Sequence, residues 1–216
     1  MDPTIIAAII GAIAVIVAGV IGKITFNRRR KKTRNFQNAF QAGWGLSRLV
    51  NQWLNNSNVD ANFKGMIVQV QPFFKALGFN IDLLDSFTKG ELPKDLMPFL
   101  FQIESELTAR FGRDTGNAFK LGQALVSNTQ AMYKYVTDSN YRSNMDNQGI
   151  KLSGITAALD EPLEKLSLPK SIKKEWKDII SSVASGSFNE NNKDELWSRI
   201  QQWIARVWQA LLGKGG

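Results

Sequence analysis

Hydrophobic and polar positions divide this chain into one unbroken apolar run and a series of helical stripes. Ile5 to Gly22 is a run of 18 residues with no charged or strongly polar side chain. At about 1.5 Å per residue it would make a helix roughly 27 Å long, close to the hydrocarbon thickness of a bilayer. The pattern predicts a single transmembrane helix, extended through Ile24, Thr25 and Phe26, with Lys23 reaching back to the headgroups. A cleaved signal peptide would carry a basic leader and a small-x-small site after a shorter core. Here only Asp2 is charged before the run, and Ala12-Ile13-Ala14 lies in its middle. A core helix rarely holds so long an uninterrupted apolar stretch.

Beyond Arg34 the apolar spacing is helical throughout, with no sustained strand alternation. Phe36, Phe40, Trp44, Ser47, Val50 and Leu54 form the first stripe, followed by the polar break Asn55–Asn58. Phe63, Ile67, Val70, Phe74 and Leu77 form the second, with Pro72 expected to kink or divide it and Gly78 to cap it. A short helix is expected from Asn80, carrying Ile81, Leu84 and Phe87. Pro93 opens a run through Leu96, Leu100, Ile103, Leu107 and Phe111, perturbed at Pro98 and stopped at Gly112. Asp114 or Thr115 opens a long helix with Phe119, Gly122, Leu125, Thr129, Met132 and Val136. The polar stretch Asp138 to Gly149 has only Tyr141 and Met145 as anchors. Ile155, Leu159, Leu163 and Leu166 give a further helix despite Pro162. Pro169 breaks it, Ser171 can cap the next, and Ile172, Trp176, Ile179 and Val183 continue. Ser185 to Lys193 reads as a flexible loop. The last helix is the clearest, from a capping-box-like Asn192 and Glu195 to Gly213, with Leu196, Trp197, Ile200, Trp203, Ile204, Val207, Trp208, Leu211 and Leu212 over nearly half its circumference.

Two segments echo one another. Asn38-Ala39-Phe40-Gln41-Ala42-Gly43 resembles Asn117-Ala118-Phe119-Lys120-Leu121-Gly122 at an offset of 79 residues, and Leu92-Pro93-Lys94 matches Leu168-Pro169-Lys170 at 76. A three-residue gap in the polar loops reconciles the two. The expected fold is all-α: a single N-terminal transmembrane helix, then about seven to nine helices consistent with a tandem duplication of a four-helix unit. The expected divisions are an anchor at 1–26, a basic juxtamembrane segment at 27–35, helical units at 36–112 and 113–190, and an amphipathic capping helix at 191–216.

Charge sets the orientation. Lys23, Arg28, Arg29, Arg30, Lys31, Lys32 and Arg34 all follow the apolar run, which places the N-terminus outside and the C-terminal domain in the cytoplasm. They form a stop-transfer signal and a site for anionic lipid. These are seven of the 27 basic side chains; from Asn35 onward 20 face 18 acidic ones, so the net charge of +8 does not make the domain a nucleic-acid binder. Within the run, Ala7, Gly11, Ala14, Ala18 and Gly22 share one face, the arrangement that lets transmembrane helices pack closely.

The chain has no Cys and no His, which excludes disulfides, thiolate or imidazole metal ligands and Cys or His catalysis. Asp82 with Asp85 and Asp160 with Glu164 share helix faces, but equally spaced apolar neighbours explain each pair as the solvated edge of a helix. Asp138-Ser139-Asn140 opens like a calcium loop, yet Gly149 stands where the bidentate Glu belongs. Gly213-Lys214-Gly215 follows a helix, not a strand, and is no P-loop. Trp197, Trp203 and Trp208 mark either a partner-docking or a core-packing face. No cofactor is expected, and whether a small molecule binds is left open. The expectation is a non-enzymatic, membrane-anchored module that binds lipid and a protein partner or itself. The alternative is an inducible effector whose domain senses a ligand or partner and clusters the small-faced helices to perturb the bilayer.

Overall fold

The computed structural model describes residues 31–51, 61–79 and 96–212. The expected transmembrane helix, its small-residue face, the basic residues Lys23 and Arg28 to Arg30, the short helix at Asn80, Asp82 with Asp85, and Gly213 lie outside the described residues. Among the described residues every regular element is helical, and no helix is long and apolar enough to cross a membrane. The chain divides into two compact units, Met1–Arg34 and Asn35–Gly216. Of the first, residues 31–34 are described and are helical.

We label the helices α1 (31–51), α2 (Ala61–Ala76), α3 (Leu96–Phe111), α4 (Arg113–Thr137), α5 (Ser139–Asn147), α6 (Leu152–Lys165), α7 (Lys170–Ala184) and α8 (Lys193–Leu212). α2 runs unbroken through Pro72 and ends in a Schellman turn. There Gly78 takes φ +76° and the Phe79 N–H donates to the Phe74 carbonyl at 3.1 Å. Pro98 falls in the first turn of α3, where its missing N–H has no helical partner to lose. α4 begins at Arg113, ahead of the Asp114 or Thr115 that the sequence predicts, and no side chain caps it. Asp138 makes α5 out of a polar stretch: its carboxylate accepts from the Tyr141 N–H at 3.0 Å. α7 has Pro169, not Ser171, at its N-cap, where the missing N–H costs no helical hydrogen bond, and no side chain caps it. The loop before α8 is tied down. Phe188 is buried in it, and the capping box forms between Asn189 and Asn192 on a short 3-10 turn, not between Asn192 and Glu195.

Two cores result. Ala39, Ala42, Leu46 and Leu49 of α1 pack with Ile67, Val70 and Phe74 of α2 and Ile103 and Leu107 of α3. The larger core joins α4, α6, α7 and α8 around Leu125, Leu159, Ile172, Trp176, Ile200 and Trp203. Each core contains one buried phenylalanine of the other half: Phe119 of α4 lies in the first, Phe40 of α1 in the second.

Candidate recognition cleft

The cleft is positioned by the crossing of α1 and α4. At Gly43 a Cβ would overlap the carbonyl oxygen of Phe119; at Gly122 it would overlap that of Phe40 and lie 2.7 Å from the Trp44 nitrogen. Bare Cα atoms therefore let the two backbones touch. The contact is reciprocal: the 79-residue sequence echo matches Gly43 with Gly122 and Phe40 with Phe119. The same offset recurs where Asn51 Nδ2 donates to Gln130 Oε1 at 3.0 Å.

Beside this crossing α1, α3, α4 and α6 leave a cleft of about 580 Å3. Leu46 and Val50, Leu100 and Phe101, Ala124 and Ala158 form its apolar lining, and Ser47, Asn51, Gln123 and Ser127 add polar groups. Phe101 is 59% exposed, one of two large apolar side chains so placed among the described residues. Asn128 is buried at the back. Its amide donates to the Ile155 carbonyl and its Oδ1 accepts from Ser127 Oγ, so α4 is pinned to α6 with no polar atom left unsatisfied.

One edge carries a chain of ion pairs. Lys120 Nζ lies 3.1 Å from Glu104 and 3.6 Å from Glu161, and Glu161 lies 2.5 Å from Lys165. Burial disfavours the Lys120 ammonium, but the hydrogen bonds and charges of Glu104 and Glu161 outweigh it and hold its pKa above the ordinary lysine value. The Lys165 hydrogen bond and the Lys120 charge hold Glu161 below the usual carboxylate range. Both shifts move these groups away from neutrality. Neither is poised to exchange a proton at physiological pH.

The other candidate residues are spread out. Trp203 is buried, stacked on Trp176 at 4.6 Å, and its indole N–H donates to the Ile172 carbonyl at 2.9 Å. Trp197 is half-buried against Tyr133, and Trp208 sets its edge against Phe40 and Trp44. Trp208 and Trp44 line a second hollow of about 300 Å3 with Arg48 and Phe73. Asp160 accepts from the Trp176 indole N–H at 2.8 Å, and Glu164 is tied to Lys177 at 2.9 Å and Lys173 at 3.7 Å. Among the described residues no group of three or more acidic side chains could hold a metal ion. Lys31, Lys32 and Arg34 lie in the helical residues 31–51.

Sequence reasoning passed over Phe101, Lys120 and Asn128. A signal existed for Phe101: Leu96 to Phe101 is apolar at every position, a wider arc than one buried face requires. No family model matches this chain, and no curated protein or solved structure matches it either.

Proposed function

We propose that this chain is a single-pass membrane protein whose cytoplasmic helical domain is a non-catalytic recognition and assembly module. The observation that carries the reading is the Ile5–Gly22 run with its basic cluster on one side only. The cleft supports recognition over chemistry. Its lining is mainly apolar, and the titratable side chains on it are locked in ion pairs. Glu104 and Glu161 are balanced by Lys120 and Lys165, which favours apolar side chains of a protein partner over a charged ligand. Tethering concentrates the domains in two dimensions, so a weak contact suffices for assembly.

Alkaline carbonate washing of vesicles tests the anchor: full-length protein stays with the membrane, and its release would overturn the reading. The single-faced spacing of Ala7, Gly11, Ala14, Ala18 and Gly22 favours a second reading, an effector that clusters these helices to perturb the bilayer. Dye leakage on induced expression, abolished by Gly11→Ile, would select it. Tight vesicles under every trigger would dismiss it.

A further inference from the structure

We propose that the helical domain exchanges its halves with a second copy of the chain, using Gly112 as the hinge and the α1–α4 crossing as the shared interface. This deepens the assembly reading above and rests on it.

Three observations converge. The first is reciprocity. Gly43 receives the Phe119 backbone, Gly122 receives the Phe40 backbone, and Asn51 bonds Gln130; the 79-residue echo matches Gly43 with Gly122 and Phe40 with Phe119. Such a contact has the form of an isologous dimer interface, in which i meets j and j meets i. It can therefore be satisfied between two chains by the same atoms that satisfy it within one. The second is mutual incompleteness: Phe40 fills the core of the second half and Phe119 that of the first. Each half gains by finding the other, whichever chain supplies it.

The third is the connection. Only Gly112 separates α3 from α4, and it reverses the chain at φ +93°, ψ 164°. That region is open to glycine and strained for other residues. The Gly112 N–H donates to the Thr108 carbonyl at 2.9 Å and its carbonyl accepts from Thr115 at 3.0 Å, so this residue ends one helix and begins the next. No side chain caps α4. If Gly112 turned helical, α3 and α4 would run on as one rod. Short hinges between closely packed halves favour exchange, because a one-residue connection has no slack and the open form keeps every other contact.

The chain has no cysteine, so single thiols report cleanly. Full-length Asn51→Cys and Gln130→Cys chains are co-expressed in membranes and bridged with a short bismaleimide. Exchange predicts a 51-to-130 adduct between chains, above the adduct that Asn51→Cys gives with itself by collision. Gly112→Ala strains only the closed turn, since no atom lies within 4 Å of the added methyl, and raises that adduct at least about fivefold. Six flexible residues inserted after Gly112 lower it, by giving the connection the slack to close within one chain. The doubly substituted chain, which bridges within itself, verifies the geometry. Intrachain bridging with no 51-to-130 adduct between chains, in the parent and the Gly112→Ala background alike, overturns the exchange. The assembly reading then survives if chains still crosslink elsewhere and fails if carbonate releases them.

Discussion

Two glycines in α-helices give opposite predictions for the same substitution. Alanine normally stabilises a helix interior by about 1 kcal/mol relative to glycine. At Gly65 in α2 a Cβ would meet nothing within 4 Å, and Gly65→Ala is expected to gain up to about 1 kcal/mol. At Gly43 the obstacle is the Phe119 carbonyl, backbone that no rotamer change can move. The α1–α4 axes must separate by about 1 Å, which forfeits a quarter to a half of the dispersion along their contact. With overpacking of this kind costing about 3 kcal/mol or somewhat more, the net loss for Gly43→Ala is about 2–3 kcal/mol after the helix-propensity gain. For a domain of this size that is a fall in Tm of roughly 5–10 °C. Gly122→Ala is expected to match it. The double variant should cost less than the two together, because helices already parted for one methyl admit the second. Full-length protein in a mild detergent, unfolded by urea and followed by tryptophan fluorescence, measures all four. Equal shifts for Gly43→Ala and Gly65→Ala, or strict additivity of Gly43 and Gly122, would refute the reciprocal crossing.

Phe101→Glu removes an exposed apolar group, so stability should change by no more than about 0.5 kcal/mol. A photo-crosslinker at position 101 should yield a discrete protein adduct in native membranes; its absence counts against the cleft as the recognition surface. Trp203→Phe removes the indole donor to the Ile172 carbonyl and trims a buried stack, for an expected loss of about 2–3 kcal/mol by the same urea assay. A loss under 0.5 kcal/mol would remove Trp203 from the core. The ion chain sets a pH window. Because Glu161 is depressed in the folded state, its contribution is present above the ordinary carboxyl value of 4.5 and is lost as pH falls through its lowered pKa. Because Lys120 is raised, its contribution is present below 10.5 and is lost as pH rises through its higher pKa. Lys120→Met should therefore flatten both edges of the stability profile while costing only about 0.5–1 kcal/mol at pH 7, given the partial exposure of the pairs. An unchanged profile would show that the pairs contribute nothing.

The local sequence suffices for much of this domain. Apolar residues at helical spacing place Phe40, Ile67, Leu107, Leu125, Trp176 and Trp203 inward whatever the neighbours are, because burying one face of a helix is a property of its own period. Gly78 and Gly112 mark chain reversals for an equally local reason: both take positive φ, where a Cβ is strained. Ends are settled by competition among nearby groups, which is why Asn189, not Asn192, begins the last capping box and why Pro169 displaces Ser171. The cleft belongs to tertiary structure alone. Phe101 and Lys120 come to line one cleft only when α3 folds back on α4 at Gly112, and Glu161 joins them only when α6 packs on α4. The echo around Phe40 and Phe119 could be read along the chain, but that its two copies face each other through Gly43 and Gly122 is decided by how closely two backbones approach in space.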